Sequence, residues 1–435
     1  MTSAACSGSQ HITMWIPRPR NVLITTLIAA LVVASGLVIA QDQETLRVRT
    51  SLASTDPQFP EYLARLIGAP LTSGDSYLVH TNGDQAFPAM LGAIDRAKHR
   101  VSFETYLFGN DEIAGRFTAA FEAAARRGVE VRLVLDAVGS QDMDPAHIER
   151  LERAGCEIGW FNKVASYSFE ELNYRTHRKS LIVDGDVAFV GGIGIADHWA
   201  RDTESGPRWR DTQIEVRGAA AINVEASFSE SWIETGGVAE PDLLSHDDEP
   251  AGTARSIVVR AGPGGGTNEM KLLYLLAIAS ARTSLDIQSP YVILDESTQW
   301  SLAEARRRGV RIRILTESEA TDAKPVKFAS RAGYEELLEQ GIDVYEYQPA
   351  MMHAKVIVID GVLSVFGSAN FDNRSLELNH ELNLAVFDKA LAARLLTDFE
   401  RDVTRSAKID LERWRSRPFH IRGRETMWSY FGEVF

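Results

Sequence analysis

The 435 residues are 45% hydrophobic and 24% charged, which supplies cores for two or three domains and excludes a disordered chain. The 46 Lys and Arg face 60 Asp and Glu, and the formal charge of −14 argues against a broad grip on nucleic acid backbone, leaving room only for a local basic pocket. Cys6 and Cys156 are the only cysteines, too few for a disulfide framework.

In chain order, a short tail (1–20) carrying Arg18 and Arg20 precedes the uncharged run NVLITTLIAALVVASGLVIA, residues 21–40. That is about one bilayer's worth of helix. The positive-inside bias predicts a single N-terminal transmembrane anchor in the cell membrane, with the rest of the chain on the non-cytoplasmic side. Val38 and Ala40 also fit a cleavage site before Gln41, so a removed signal peptide and secretion is the alternative. Residues 41–75 read as a connector.

Beyond it the chain repeats its own order. LGAIDRAKHR from Leu91 and LLAIASARTS from Leu275 are apolar helix patterns, each leading into a strand-like run, VSFETYLF and LDIQSPYVI. A second helix in each half stops at basic residues and a glycine, AAARRG at Gly128 and EARRRG at Gly309, before the strands VEVRLVLD and VRIRILTE. LERAGCEIGWF from Leu151 matches LLEQGIDVYEY from Leu337. The approach to His177 is the longer one, by the loop SYSFEELNYRT. The acid-, proline- and small-residue-rich stretch from Glu240 marks a linker, giving repeats at 76–239 and 259–410, a linker at 240–258 and an aromatic tail at 411–435. Strands alternating with helices predict an α/β architecture.

Each repeat then reaches a histidine motif, THRKSLIVDGDVAFVGGIG and MHAKVIVIDGVLSVFGSAN. His177 and Lys179, like His353 and Lys355, are two apart on an apolar run, which predicts one strand face for each pair. Asp184-Gly185 and Asp360-Gly361 signal hairpin turns, and each returning strand ends in small residues, GGIG or GSAN. Two lysines suit the charge that a phosphodiester gathers on its way to five-coordination. One neutral imidazole can attack phosphorus while a second, protonated, donates to the leaving oxygen, and a pKa of about 6.5 gives access to both forms. A lone histidine on a strand is more often structural, but here the whole pattern recurs in matched context.

The doubled His-x-Lys-x4-Asp pattern resembles the signature of the phospholipase D superfamily. With RVSFETYLF, AARRGVEVRLVLDAVGS, GPRWRDTQIEVRG, QSPYVI, MMHAKVIVIDG and GSANFDNRSLELNHELNL, the chain is similar to the cardiolipin synthase branch over roughly residues 75–410. The resemblance implies two tandem repeats forming a pseudo-twofold mixed-sheet sandwich with one shared active site. It also implies a covalent phosphohistidine intermediate and neither metal nor cofactor. On it, His177 is the nucleophile and His353 the acid and then the base. Lys179 and Lys355 bind phosphate oxygens, Ser368 and Asn370 line the pocket, and Asp184 and Asp360 fix local geometry. Asp211 and Glu381 open corresponding strands, where each is expected to hold its own half's histidine or to be an exposed carboxylate. Gly194 departs from the asparagine usual there, so the first half is expected to lose a hydrogen bond.

The function implied is a phosphatidyltransferase making cardiolipin from two phosphatidylglycerols. The alternatives are a phospholipid hydrolase, a nuclease and a non-catalytic lipid-binding membrane protein. A phospholipid partner is expected, nucleic acid is not, and the oligomeric state stays open. Lys324 and Lys327 are secondary candidates for a headgroup contact and Gly262–Gly266 for a phosphate cradle, with solvated lysines and a plain turn as alternatives. Trp428, Tyr430, Phe431 and Phe435 read as an interfacial wedge or a segment docked on the protein's own core.

Overall fold

The computed structural model describes residues 45–162, 174–238, 250–262 and 269–430. The first half contributes β1 (Leu71–Thr81), β2 (Arg100–Thr105), β3 (Glu130–Asp136), β4 (Glu157–Phe161), β5 (Ser180–Val183), β6 (Val187–Gly191) and β7 (Thr212–Arg217). The second contributes β8 (Ala254–Ala261), β9 (Ser284–Gln288), β10 (Val292–Ile293), β11 (Arg311–Glu317), β12 (Asp343–Tyr347), β13 (Val356–Ile359), β14 (Leu363–Gly367), β15 (Phe371–Asp372), β16 (Glu381–Phe387) and β17 (Ser406–Lys408).

All but the short pair β10 and β15 join one mixed sheet, in the order β17-β12-β11-β9-β13-β14-β16-β8-β1-β7-β6-β5-β2-β3-β4. The opening strands of the halves, β1 and β8, pair antiparallel at its centre, from Leu71 with Ile257 to Asp75 with Ala254. Outward from that seam the two halves run through their strands in the same order. The halves are therefore joined at β1 and β8, and β6 of the first half also lies against β14 and β16 of the second. β2, β3 and β4 run parallel, as do β9, β11 and β12, while the hairpins β5–β6 and β13–β14 are antiparallel. Parallel neighbours need helical crossovers, which explains the alternation in the sequence.

The helices Glu112–Arg126 and Glu296–Arg307 are capped by Asp111 and Asp295, whose side chains accept the amides of Ala114 and Thr298. Past their basic ends, Gly128 and Gly309 both take φ of +89°, the left-handed turn that stops a helix. One core lies within each half, and a third, including Ile182, Ile214, Val258, Val356 and Leu384, spans both. The helices Ala219–Glu234 and Lys389–Val403 contribute Val224 and Leu395 to this shared core. The helix Phe59–Ile67 lies in the stretch expected as connector and packs into the second half's core, because Phe59, Leu63 and Ile67 share one buried face. β8 begins inside the expected linker, and the helix Phe419–Ser429 falls in the expected tail.

The Asp-Gly turns do more than reverse the chain. Asp184 and Asp360 both take left-handed backbone (φ +55° and +52°), which an aspartate tolerates better than most residues. The carboxylate of Asp184 accepts the amides of Lys98, His99 and Arg100. That of Asp360 accepts those of Arg282, Thr283 and Ser284, with the hydroxyls of Thr283 and Ser54. Each turn thereby clamps the start of the adjacent strand, β2 or β9. Asp184→Ala is expected to cost about 2–4 kcal/mol, from three amides losing their acceptor and an alanine held at positive φ. Urea unfolding checks this, and a change under about 0.5 kcal/mol would contradict the clamp.

The expected membrane anchor, and the location built on it, are corrected. Among the described residues no helix is long and apolar enough to cross a membrane. The helix Ala219–Glu234 has 16 residues, about 24 Å at 1.5 Å per residue and short of a hydrocarbon core of about 30 Å. The run 21–40 and its cleavage site lie outside the described residues, as do most of the loop before His177, most of the linker, residues 263–266 of the glycine-rich turn, Phe431 and Phe435.

Candidate active site

β5 begins at Ser180 and β13 at Val356, one residue after each motif lysine, so His177, Lys179, His353 and Lys355 precede their strands instead of lying on them. The reason is visible in the backbone pairing. The His177 amide donates to the His380 carbonyl at 2.9 Å, and the His353 amide donates to the Arg210 carbonyl at 2.7 Å, so each histidine segment docks on the opposite half. Each lysine then turns back on its own motif, Lys179 Nζ donating to the His177 carbonyl and Lys355 Nζ to the His353 carbonyl, both at 2.7 Å.

The side chains cross in the same way. His177 Nδ1 lies 2.9 Å from Glu381 Oε1, and His353 Nδ1 lies 2.7 Å from Asp211 Oδ2. The expected pairing of each carboxylate with its own half's histidine is therefore replaced by an exchange between halves, and both carboxylates are fully buried. A buried carboxylate at Nδ1 accepts a hydrogen bond from the ring N–H there and leaves Nε2 with its lone pair.

The surroundings of the two pairs differ. Glu381 also accepts the Ser368 hydroxyl at 2.5 Å. In the first half the corresponding positions are Gly192 and Gly194, and an indole occupies the vacated space. A Cβ on Gly194 would meet the Trp199 ring at 2.9 Å, and Trp199 Nε1 donates to Asp211 Oδ2 at 2.9 Å. Trp199 thus gives Asp211 the donor that Ser368 gives Glu381. The Trp199 and Trp209 rings lie 5.7 and 5.5 Å from that of His353, whereas Tyr106 faces His177 at 5.6 Å. Asn370 is buried in the second turn, and its Oδ1 has no hydrogen-bond partner among the described residues.

Sequence reasoning missed Trp199 and Trp209, and the only signal was a pair of glycines where the other half has serine and asparagine. It also missed Glu104 and Asp136, strand-end acids that hold the Thr176 hydroxyl and amide and so fix the approach to His177. Of the secondary candidates, Lys327 is buried and paired with Glu319 at 2.8 Å, while Lys324 is exposed. Trp428 is half-buried and Tyr430 exposed.

Burial governs the electrostatics. It pushes the His177 imidazolium down to about 4 against the pull of Glu381, so the ring is neutral near pH 7. Glu381 would be raised by burial, but the charges of His177 and Lys179 and the hydrogen bonds from His177 and Ser368 bring it to about 2. Lys179 falls to about 7 through burial, with Lys355 of the other half adding to the fall. Burial lowers His353 and Lys355 as well, and Asp211, which burial alone would raise, is held below its usual range by His353, Lys355 and the Thr212 amide together. A phosphodiester anion beside these lysines favours their charged forms.

Trp199→Phe keeps an aromatic ring and removes the donor to Asp211. It is expected to lower kcat about 10-fold with KM little changed, the range for one hydrogen bond to a buried charge. Steady-state kinetics decide it, and an unchanged kcat would show the indole to be packing alone.

Comparison with known proteins matches residues 90–232 and 274–403 to the family described as cardiolipin synthase, PLD-like domain. The chain is 35% identical over 372 residues to a cardiolipin synthase of Geobacillus kaustophilus (strain HTA426), covering 84% of this chain and 74% of that protein. It is 35% identical over 348 residues to cardiolipin synthase 2 of Bacillus anthracis, with 79% and 67% covered. Among solved structures, the phosphatidylserine synthase of Haemophilus influenzae Rd KW20 shares the fold, with a TM-score of 0.66, 11% identity and coverage of 87% of this chain and all of that one. The chain belongs to the cardiolipin synthase, PLD-like domain family and, with it, to the enzymes of the phospholipase D superfamily.

Proposed function

We propose that the chain is a phosphatidyltransferase that makes cardiolipin and glycerol from two phosphatidylglycerols, at one pseudo-twofold site shared by its halves. The observation that carries this reading is the exchange of carboxylates, Glu381 on His177 and Asp211 on His353. The names of the relatives favour the same product.

His177 is neutral, with its proton at Nδ1 against Glu381, so Nε2 attacks the phosphorus of the first phosphatidylglycerol. Lys179 and Lys355 take the non-bridging oxygens, whose charge increases at the five-coordinate state. His353, protonated once the anionic diester is bound, gives its Nε2 proton to the leaving glycerol oxygen as that P–O bond breaks. The phosphatidyl group then sits on His177. His353, now neutral, removes the proton from a hydroxyl of the second phosphatidylglycerol, whose oxygen attacks phosphorus and displaces His177 Nε2. Asp184 and Asp360 set the hairpins and touch no substrate.

Purified protein with phosphatidylglycerol vesicles is expected to yield cardiolipin and glycerol in equal amounts. Phosphatidic acid in place of cardiolipin would make water the acceptor, and no lipid turnover at all would overturn the reading.

A further inference from the structure

A cavity of about 220 Å³ lies apart from the histidine pair, lined by Arg208 and Arg210 of the first half and Arg401 and Arg405 of the second, against Asp84 and Asp402. Four guanidinium groups around one small space reverse the sign of a chain whose formal charge is −14. Part of that charge is balanced. Asp402 accepts Arg210 Nε at 2.7 Å, Asp84 lies 2.7 Å from Arg208 Nη1, and Arg401 reaches Asp398 at 2.6 Å.

The remainder is not. Arg405 meets no carboxylate among the described residues and lies over the Tyr347 ring, 5.6 Å from its centre. Arg210 has a side chain only 4% exposed and is fixed at the cavity wall by Nε donating to Asp402 and Nη1 to the Thr212 hydroxyl. The volume is many times the roughly 10–15 Å³ that one water needs. The fold itself does not require the charge. His380, which precedes Glu381 as Arg210 precedes Asp211, lines a cavity that carries Glu230, Glu234 and Glu269 against the single Arg260.

We propose that the arginine-lined cavity is a binding site for a compact phosphate-type oxyanion, distinct from the histidine and lysine site. Guanidinium groups are suited to it because they offer paired donors to tetrahedral oxyanions. The oxyanion is either free phosphate or the phosphate of a lipid headgroup. It sits one backbone hydrogen bond from the reaction, since the Arg210 carbonyl accepts the His353 amide.

The test uses the full chain carrying Lys179→Met and Lys355→Met, which weakens phosphate binding at the histidine site. Calorimetric titration with inorganic phosphate is expected to show a binding event that Arg401→Ala with Arg405→Ala weakens about tenfold or more, and that the Lys pair at the same positions largely retains. Equal melting temperatures across the set show that folding is preserved. Sedimentation with phosphatidylglycerol vesicles in phosphatidylcholine identifies the source. Weakening of both vesicle and phosphate binding assigns a headgroup, and weakening of phosphate alone assigns the free ion. Phosphate binding that is absent, or that is unchanged by the arginine substitutions, overturns the proposal whether or not the chain makes cardiolipin.

Discussion

Alanine at His177 or at His353 is expected to lower phosphatidylglycerol turnover by at least about 10⁴-fold, with the double variant falling little further. In the proposed mechanism the two rings act on one phosphorus, and a step that has lost either partner gains little from the other. The single variants separate when the leaving group no longer needs a proton. With a nitrophenyl diester in place of glycerol, His353→Ala is expected to release nitrophenol in a burst, because attack by His177 goes on while general-base activation of the acceptor is lost. His177→Ala is expected to give no burst. Stopped-flow absorbance decides it, and a burst from His177→Ala with none from His353→Ala would exchange their roles.

Glu381→Gln is expected to lower kcat about 10³-fold while KM changes only a few-fold. The buried carboxylate accepts the proton of His177 Nδ1 at 2.9 Å. A glutamine amide can turn its NH₂ to the same nitrogen and donate, which holds the ring proton at Nε2, where the lone pair must face phosphorus. Asp211→Asn acts on His353 instead, through the 2.7 Å contact, and so on the leaving group. The nitrophenyl diester should therefore restore most of the burst in Asp211→Asn and little of it in Glu381→Gln. Rescue of Glu381→Gln alone would mean that the carboxylates serve their own halves.

Much of this architecture was legible in the sequence because it rests on local patterns. Strands at β3 and β11, helix stops at Gly128 and Gly309 and the Asp-Gly hairpins all follow from periodicity, capping and turn chemistry within a few residues. The histidines, lysines and two carboxylates could be named for the same reason, since each sits in a repeated local frame. What could not be read was which half each carboxylate serves. That depends on the backbone bridges from His177 to His380 and from His353 to Arg210, contacts far apart in sequence that no periodicity records. The same contacts moved the histidine segments off their predicted strands. Trp199 escaped notice because its role depends on space left by Gly194, and an absent side chain gives no pattern of its own. The pairing of β1 with β8 was equally hidden, because nothing local in either opening strand names the other as its neighbour.

The central claim, that the exchanged pairs serve one transfer site with His177 as nucleophile, is tested most directly by trapping with phosphatidylglycerol labelled at phosphorus, quenched in denaturing detergent without acid. The account predicts one acid-labile, alkali-stable label per chain, mapped to the peptide bearing His177 and absent from His177→Ala. A label that maps to the His353 peptide would reverse the assignment, and a label that survives in the chain lacking both histidines would contradict the site itself.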